Sequence, residues 1–356
     1  MATHRIAVIP ADGIGGEVIP EGLRVLEAIQ RTIPDLSFAW THFDWGTEYY
    51  LRHGRMMPED GLDILRGFDA IYLGAVGDPR VPDHITLHGL LLPIRRAFDL
   101  YVGLRPFRLY HGVPCPLADK QPGSIDCTCV RENTEGEYAD SGGRLYRGTP
   151  YEVATQTTVY TRRGVERVIR FAFELARRRG KKKRVTSITK SNAQRFAPVL
   201  WDEVFREVAS GYPEIATESI LIDAAMVAFV QHPECFDVVV ASNLFADIVT
   251  DLAAAVVGSL GLAPAANLDP EHRFPSMFEP VHGSAPDIAG KGVANPIAAI
   301  LTAGMMLEFL GYPEPAGRIE AAVAANLADG KVRTPDLGGR ACTTDVTDEI
   351  LAQLVR

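Results

Sequence analysis

Two aspartates four residues apart form the pair whose spacing points most directly to chemistry. Asp247 and Asp251 follow the apolar run 236–242, which is continuous and rich in valine and so predicts a buried strand. Asn243 can cap a helix after that strand, and residues four apart on a helix share one face. Two carboxylates there repel unless a cation lies between them, and Mg²⁺ and Mn²⁺ take such oxygen ligands. The alternative is an acidic first turn that suits the helix dipole, although Asp251 lies beyond that turn.

Three arginines, a lysine and a third aspartate are further candidates. A guanidinium can bind a carboxylate through two parallel hydrogen bonds, so Arg95, Arg105 and Arg131 together could bind a dicarboxylic acid. Taken alone, an arginine in such a context is more often a surface or structural residue. Lys190 follows a predicted strand and is a candidate general base. Asp223 lies at a predicted strand-to-helix junction, where it could also be a simple helix cap.

The elements that must position these residues alternate along the chain. Between most of the predicted strands, apolar residues recur at the spacing of a helix. This alternation indicates an α/β fold with a largely parallel sheet. The turn at 12–16 holds two glycines but does not complete Gly-x-Gly-x-x-Gly, which argues against a Rossmann fold. Asn192 can cap the helix after Lys190, and Leu244, Ile248 and Leu252 mark the expected buried stripe of the helix that carries the aspartate pair. The predicted strands lie near residues 5–10, 38–43, 70–76, 125–130, 184–189, 215–222 and 236–241.

Two segments break this alternation. Residues 139–157 are polar and rich in glycine, which is typical of a protruding hairpin arm or a mobile loop. Residues 262–296 are dense in proline and glycine, and a long stretch of this kind in an enzyme is more often a binding loop than a linker.

The overall composition narrows the class of protein. A chain of 356 residues suggests about two domains, and the net charge of −9 argues against a general nucleic-acid binder. The basic run 177–184 is expected to be a solvated helix end, with a polyanion site as the lesser alternative. Five cysteines without a Cys-x-x-Cys pair suit a reducing compartment and give no zinc signature. The start lacks a signal peptide and no apolar run is long enough to span a bilayer, so a cytoplasmic protein with no membrane partner is expected.

Five segments, in the right order over nearly the whole chain, resemble the metal-dependent β-decarboxylating dehydrogenases. This is the isocitrate/isopropylmalate dehydrogenase family, which also includes tartrate and D-malate dehydrogenases. The segments are Asp-Gly-Ile-Gly at 12–15, Leu-Arg-Pro at 104–106, Arg-Glu-Asn-Thr-Glu-Gly-Glu-Tyr at 131–138, Asn-Leu-Phe-Ala-Asp-Ile-Val-Thr-Asp at 243–251, and Glu-Pro-Val-His-Gly-Ser-Ala-Pro-Asp-Ile-Ala-Gly at 279–290.

The resemblance implies an isopropylmalate/isocitrate dehydrogenase-like fold of the α/β class, with two lobes and a mixed sheet, and not a Rossmann fold. Residues 1–105 with 258–356 would form the cofactor-side lobe. Residues 106–257 would form a central lobe that carries a dimer interface and an arm near 139–157. The active protein would be a homodimer with shared active sites.

The resemblance also implies roles for the candidate residues. The substrate carboxylates would bind Arg95, Arg105 and Arg131. Mg²⁺ or Mn²⁺ would bind Asp247, Asp251 and Asp223 of the partner subunit, and K⁺ is an expected monovalent cofactor. Lys190 of the partner subunit would be the general base on the substrate hydroxyl, and Tyr138 would return a proton to the product.

The implied cofactor is NAD, bound by a loop in the cofactor-side lobe. The residues of that loop are Glu279, His282, Gly283, Ser284, Ala285, Asp287, Ile288 and Asn295. A carboxylate at Asp287 would accept hydrogen bonds from the adenosine ribose and would repel the 2′-phosphate of NADP.

One position favours a particular substrate group. The isopropylmalate enzymes carry a glutamate seven residues before the first substrate arginine, where this chain has His88. The stretch 82–89 looks most like tartrate and D-malate dehydrogenases, so the substrate is expected to be a small hydroxy-diacid, with His88 beside it. The apolar residues Leu90 to Leu92 leave 3-isopropylmalate open as an alternative substrate. A non-redox tartrate decarboxylase is the alternative from another class.

Overall fold

The computed structural model describes residues 2–355, which divide into two compact units. The first unit comprises Met1–Leu100, Arg105–Ile125 and Ala254–Arg356, and the second comprises Tyr101–Leu104 and Asp126–Ala253. Residues 106–125 were expected in the central lobe, whereas their contacts group them with the first unit.

Among residues 2–355 there are twelve strands and twelve α-helices. In chain order the strands β1 to β12 are Ala2–Ala11, Leu36–His42, Ala70–Ala75, Val102–Arg108, Asp126–Glu132, Gly136–Leu145, Val153–Val159, Arg184–Thr189, Ala216–Leu221, Val238–Ala241, Pro264–Leu268 and Ser276–Pro280. The helices α1 to α12 are Gly15–Gln30, Thr47–His53, Gly61–Leu65, Asp83–Thr86, Leu92–Ala97, Arg162–Arg179, Ala197–Ala209, Ile222–Gln231, Asn243–Val256, Ile297–Phe309, Pro313–Asp329 and Thr343–Val355. A π-helical turn, Leu87–Leu91, joins α4 to α5, and short 3₁₀ turns lie at Pro233–Cys235, Leu260–Leu262 and Pro335–Leu337.

A mixed sheet lies at the centre of the first unit, in the strand order β2-β1-β3-β12-β11. β1 is parallel to β2 and β3, β12 is parallel to β3, and β11 is antiparallel to β12. One face packs on a core that includes Ile9, Leu73, Ile94 and Met277. Helix α10 is buried on nearly every side and packs against α1 and α11, which explains its almost uniformly apolar sequence.

The second unit holds parallel strands in the order β5-β10-β8-β9 and a separate hairpin. Helix α6 packs on β5, β8 and β10. It begins where Thr161 accepts a hydrogen bond from Gly164 N at 3.0 Å and ends at the left-handed Gly180. The polar segment at 139–157 lies in the antiparallel hairpin of β6 and β7, not in a mobile loop. β4 is divided between the two units.

The structure confirms the α/β class with a mixed sheet, but it corrects several local expectations. The segment 262–296 was expected to be a loop, yet its first half forms β11 and β12. Pro264 begins β11 and Pro280 ends β12, and prolines are tolerated at such positions because no ladder hydrogen bond is lost. Asn192 does not cap a helix, because α7 begins only at Ala197. The strand β4 was not predicted from the sequence.

The buried face of α9 also differs from the expected stripe. Phe245, Val249 and Ala253 are buried, whereas Ile248 has 45% of its surface exposed. The stripe expected at Leu244, Ile248 and Leu252 is therefore wrong, and the apolar Ile248 faces outward. Helix α9 is apolar on both sides, so periodicity alone could not choose its buried face.

The basic run 177–184 is largely engaged with its own unit. Arg179 ends α6 and donates to Asp237, which is fully buried, at 3.0 Å. Lys182 donates to the Phe236 carbonyl at 2.9 Å. This end of the helix therefore supports a structural role better than a polyanion site. A span of membrane-crossing length and hydropathy does not occur in any helix within residues 2–355.

Candidate active site

The start of α9 is held by side chains from the segment 131–138. Asn243 was expected to cap this helix, but its Oδ1 accepts from Arg131 Nε at 3.0 Å and Nη2 at 2.7 Å. Its Nδ2 donates to the Glu135 carbonyl at 2.9 Å. The backbone N–H of Leu244 instead donates to Glu137 Oε2 at 3.1 Å. The expected cap is therefore wrong, and a glutamate remote in sequence satisfies a free amide at the helix start.

Three of the predicted site residues lie together in the second unit. Arg131 has only 2% of its surface exposed and forms an ion pair with Asp247 through Nη1. Its guanidinium also lies 5.5 Å from the centre of the Tyr138 ring. Tyr138 Oη donates to Asp247 Oδ2 at 3.2 Å. A buried cation, a phenol and a carboxylate thus share one cluster, which we call the Arg131 cluster.

Asp247 and Asp251 offer oxygen ligands along α9. The side chain of Asp247 is 37% exposed and Asp251 is exposed, so both are accessible to an ion. An all-carboxylate donor set suits a hard divalent cation. Within residues 2–355 no group of three or more histidine, cysteine or acidic side chains is close enough to hold a metal.

Lys190 and Asp223 form a second pair in the same unit. Lys190 follows β8, and its Nζ donates to Asp223 Oδ1 at 2.5 Å. The ammonium group beside it lowers the pKa of the Asp223 carboxyl below its usual value, so this group is ionised at neutral pH. Within one chain the two residues contact each other and do not complete a cluster with Asp247 and Asp251.

The remaining predicted substrate residues lie in the first unit. Arg95 is buried, and its Nη2 donates to Glu279 Oε1 at 2.7 Å. Asn267 donates to the same oxygen at 2.8 Å, so Glu279 orients the arginine. Arg105 is also buried. His88 is exposed and lies in the π-helical turn between α4 and α5, and such turns are frequent at functional sites.

A cavity of about 670 Å³ in the first unit is lined by four of the predicted cofactor residues: His282, Ala285, Ile288 and Asn295. His282 Nδ1 lies 3.0 Å from the Gly283 carbonyl. Its Nε2 is buried and has no hydrogen-bond partner among the described residues. Burial lowers the pKa of His282, so the ring is neutral at pH 7. An unpaired ring nitrogen in an otherwise largely apolar cavity suits a ligand with a polar group, such as a nucleotide base.

Gly283, Ser284 and Asp287 of the predicted cofactor loop do not line this cavity, and Asn295 lines it with a side chain that is bonded to other residues. Ser284 is buried, whereas Gly283 and Asp287 are exposed. Asn295 is buried, and its side chain is already engaged. Its Nδ2 donates to Asp336 at 3.0 Å and its Oδ1 accepts from Ile297 N at 3.0 Å.

Sequence reasoning missed two glutamates of the segment 131–138. Glu132 accepts hydrogen bonds from Thr134 N at 3.0 Å and Glu135 N at 2.9 Å, and burial raises its pKa to about 7. Glu137 supports the start of α9, and its Oε1 also accepts from Ser242 Oγ at 2.9 Å. The signal was three glutamates within the eight residues 131–138, a density unusual in a segment that follows a buried strand.

Comparisons with known proteins agree with the resemblance. The family model described as isocitrate/isopropylmalate dehydrogenase matches residues 5–350. A probable tartrate dehydrogenase/decarboxylase from Agrobacterium vitis is 53% identical over 98% of this chain and 97% of its own length. The decarboxylating D-malate dehydrogenase of Escherichia coli (strain K12) is 53% identical over the full length of both chains. The crystal structure of an isocitrate dehydrogenase from Methylococcus capsulatus aligns with a TM-score of 0.89 at 35% identity, covering 99% of this chain and 100% of that one.

The burial of Arg131 predicts a stability difference between two neutralising substitutions. Asp247→Asn removes the charge that is paired with a buried guanidinium, so it should lower the free energy of unfolding by about 1–3 kcal/mol. The control Glu203→Gln removes an exposed charge on α7 and should change it by less than about 0.5 kcal/mol. Urea unfolding followed by circular dichroism measures both. Equal stability of the two variants would contradict a structural role for the ion pair.

Proposed function

The chain belongs to the isocitrate/isopropylmalate dehydrogenase family, and from that premise we propose that it is a metal- and NAD-dependent enzyme that oxidises tartrate and oxidatively decarboxylates D-malate to pyruvate. The protein is an oxidoreductase, and its family includes dehydrogenases that also decarboxylate their substrates. Relatives named for tartrate and D-malate are 50–53% identical to it over nearly full length, which supports these two substrates. We place the enzyme in the cytoplasm.

The Arg131 cluster is the observation that carries this proposal. In it a guanidinium, a carboxylate and a phenol contact one another, and we assign them to substrate-carboxylate binding, metal binding and proton donation. Oxidation of a hydroxy acid followed by loss of CO₂ can use all three kinds of group. A purely structural ion pair would not require the phenol of Tyr138 against the same carboxylate.

The residues divide the work by their chemistry. A divalent metal on Asp247, Asp251 and Asp223 of the partner subunit would supply Lewis-acid polarisation of the substrate oxygens, and NAD would accept the hydride. Arg95, Arg105 and Arg131 would bind the substrate carboxylates. K⁺ is proposed as an accessory cation.

Two residues would move protons. Lys190 of the partner subunit would take the proton of the substrate hydroxyl, and Tyr138 would return one to the carbon that loses CO₂. Lys190 contacts Asp223 within one chain. One subunit would therefore contribute both residues to the active site of its partner.

Exposed apolar side chains near these residues support a homodimer. Val227 and Val230 on α8 have 54% and 45% of their surface exposed, and Ile248 on α9 has 45%. At the hairpin, Leu145 and Tyr151 are 64% and 80% exposed. Burying such residues against a second copy would recover hydrophobic free energy. Helix α8 carries Asp223, and helix α9 carries Asp247 and Asp251. An interface formed by these helices would therefore bring proposed metal ligands from two chains together.

NADH formation with Mn²⁺ and K⁺ tests the function and its alternatives. We expect a higher kcat/KM for D-malate or a tartrate than for 3-isopropylmalate, because a polar imidazole at His88 offers no apolar surface to an isopropyl group. Such a group would otherwise contribute roughly 0.8 kcal/mol for each buried carbon. His88→Ala should lower kcat/KM for tartrate more than for D-malate, whereas the control His84→Ala, also exposed and on α4, should change neither.

Two outcomes would contradict this proposal. If 3-isopropylmalate is the best substrate, the isopropylmalate alternative is right and the argument from His88 is wrong. If CO₂ is released from tartrate without a matching amount of NADH, the protein is the non-redox decarboxylase.

Complementation between inactive subunits tests the shared site. Lys190→Ala should lower kcat on the order of 10²–10⁴-fold, and Tyr138→Phe should also impair turnover, because each removes a proton-transfer group. A mixed dimer of the two variants should regain activity, because one of its two sites combines an intact Tyr138 with an intact Lys190. The measurement is NADH formation by dimers that carry two different affinity tags. Mixed dimers without regained activity would assign Lys190 to the site of its own subunit.

Asp287 predicts a preference for NAD. Its carboxylate would repel the 2′-phosphate of NADP, so the wild-type protein should show the higher kcat/KM with NAD. Asp287→Lys should shift the ratio toward NADP, and Asp287→Asn should shift it less, because it removes the repulsion without adding an attractive charge. Equal efficiency of the wild-type protein with both cofactors would refute the assigned role.

A further inference from the structure

The turn at 12–16, which fails as a Rossmann signature, packs directly against the proposed cofactor loop. Ile14 N donates to the Ser284 carbonyl at 2.9 Å. Gly13 has a left-handed φ of +54°, and a Cβ atom there would lie 2.0 Å from the Ser284 carbonyl oxygen. A glycine is therefore needed at this position for the loop to approach so closely.

Glu17, in the first turn of α1, holds the far end of the same loop. Its Oε1 accepts from Gly290 N at 2.5 Å, and its Oε2 accepts from Gly292 N at 2.9 Å. Both glycines have left-handed φ values, +77° and +64°. Two backbone amides thus converge on one carboxylate, in the manner of an anion-binding concavity.

These contacts fix a segment that has little regular structure of its own. Within the loop the hydrogen bonds are short-range turns, such as Ile288 N to the Ala285 carbonyl at 3.1 Å. Ala285 has a φ of +42°, which is strained for a residue with a side chain. A strained loop keeps its conformation only if its surroundings hold it, and Glu17 supplies two of the hydrogen bonds that do so.

We propose that Glu17 is a positioning residue for the cofactor. It holds the loop so that His282, Ala285 and Ile288 line the 670 Å³ cavity before the dinucleotide arrives. Pre-organisation of this kind strengthens binding because the loop does not have to be ordered by the ligand. The inference rests on the proposed function, since it requires that this cavity bind a nicotinamide dinucleotide.

Glu17→Gln tests the proposal with little change in shape. The glutamine amide keeps one acceptor oxygen but faces the second backbone N–H with a donor, so one of the two hydrogen bonds is lost. The matched control is Glu27→Gln, which neutralises an exposed carboxylate on the same helix. Equilibrium binding of NADH, followed by its fluorescence without metal or substrate, is the first measurement. The second is hydrogen exchange of the Gly290 and Gly292 amides.

We expect Glu17→Gln to weaken NADH binding roughly 10-fold, since a hydrogen bond to a charged group is lost. It should raise the KM for NAD with kcat and the KM for D-malate nearly unchanged, and it should speed exchange of both glycine amides. The control should match the wild-type protein in every measurement.

Three results would overturn the inference. Unchanged NADH affinity of Glu17→Gln, with faster amide exchange, would show that the loop contact does not serve the cofactor. An equal loss in kcat and in both KM values would indicate a general structural role. Absence of NADH binding by the wild-type protein would overturn the proposed cofactor itself, and this failure is visible before any variant is made.

Discussion

Burial of the Arg131 guanidinium is the constraint on which the second unit's site depends. A charge with 2% exposure is costly unless it is paired and hydrogen-bonded, and Asp247 and Asn243 meet that demand. Since both partners belong to α9, the pairing fixes where that helix begins and which way its carboxylate points. Tyr138 then packs over the guanidinium and bonds to the same carboxylate. The ion pair thereby specifies the geometry of the site, whatever its net contribution to stability.

In the first unit, too, buried charged side chains are paired and hydrogen-bonded. Arg95 is buried against Glu279, which Asn267 also binds. Asp12 is buried and accepts from Thr47 N at 2.7 Å and from Gly77 N at 2.8 Å, so one carboxylate ties together the segments that follow β1, β2 and β3. Buried charges at the carboxyl ends of strands hold the irregular segments from which open α/β sheets build their sites.

Sequence patterns were sufficient to predict the structure of a segment where a single property, such as continuous hydrophobicity, determines it. The valine-rich run before α9 could only be a buried strand, and the alternation of such runs with helices gave the α/β class. Motif order gave the family. The buried face of α9 was not accessible in this way, because Ile248 is as apolar as Val249 and only the tertiary packing separates them. The roles of Glu137 and Glu17 were also hidden, since each bonds to backbone amides more than a hundred residues away, and no local pattern records such a contact.

We propose that the carboxylates of α9, of which Asp247 is held by the Arg131 cluster, form half of a divalent metal site. The most direct test is an anomalous difference map from crystals of the wild-type protein grown with Mn²⁺. We expect a peak about 2.0–2.6 Å from carboxylate oxygens of Asp247 and Asp251, with Asp223 of a second chain as a further ligand. A peak that avoids both α9 carboxylates, or no peak at saturating Mn²⁺, would contradict it.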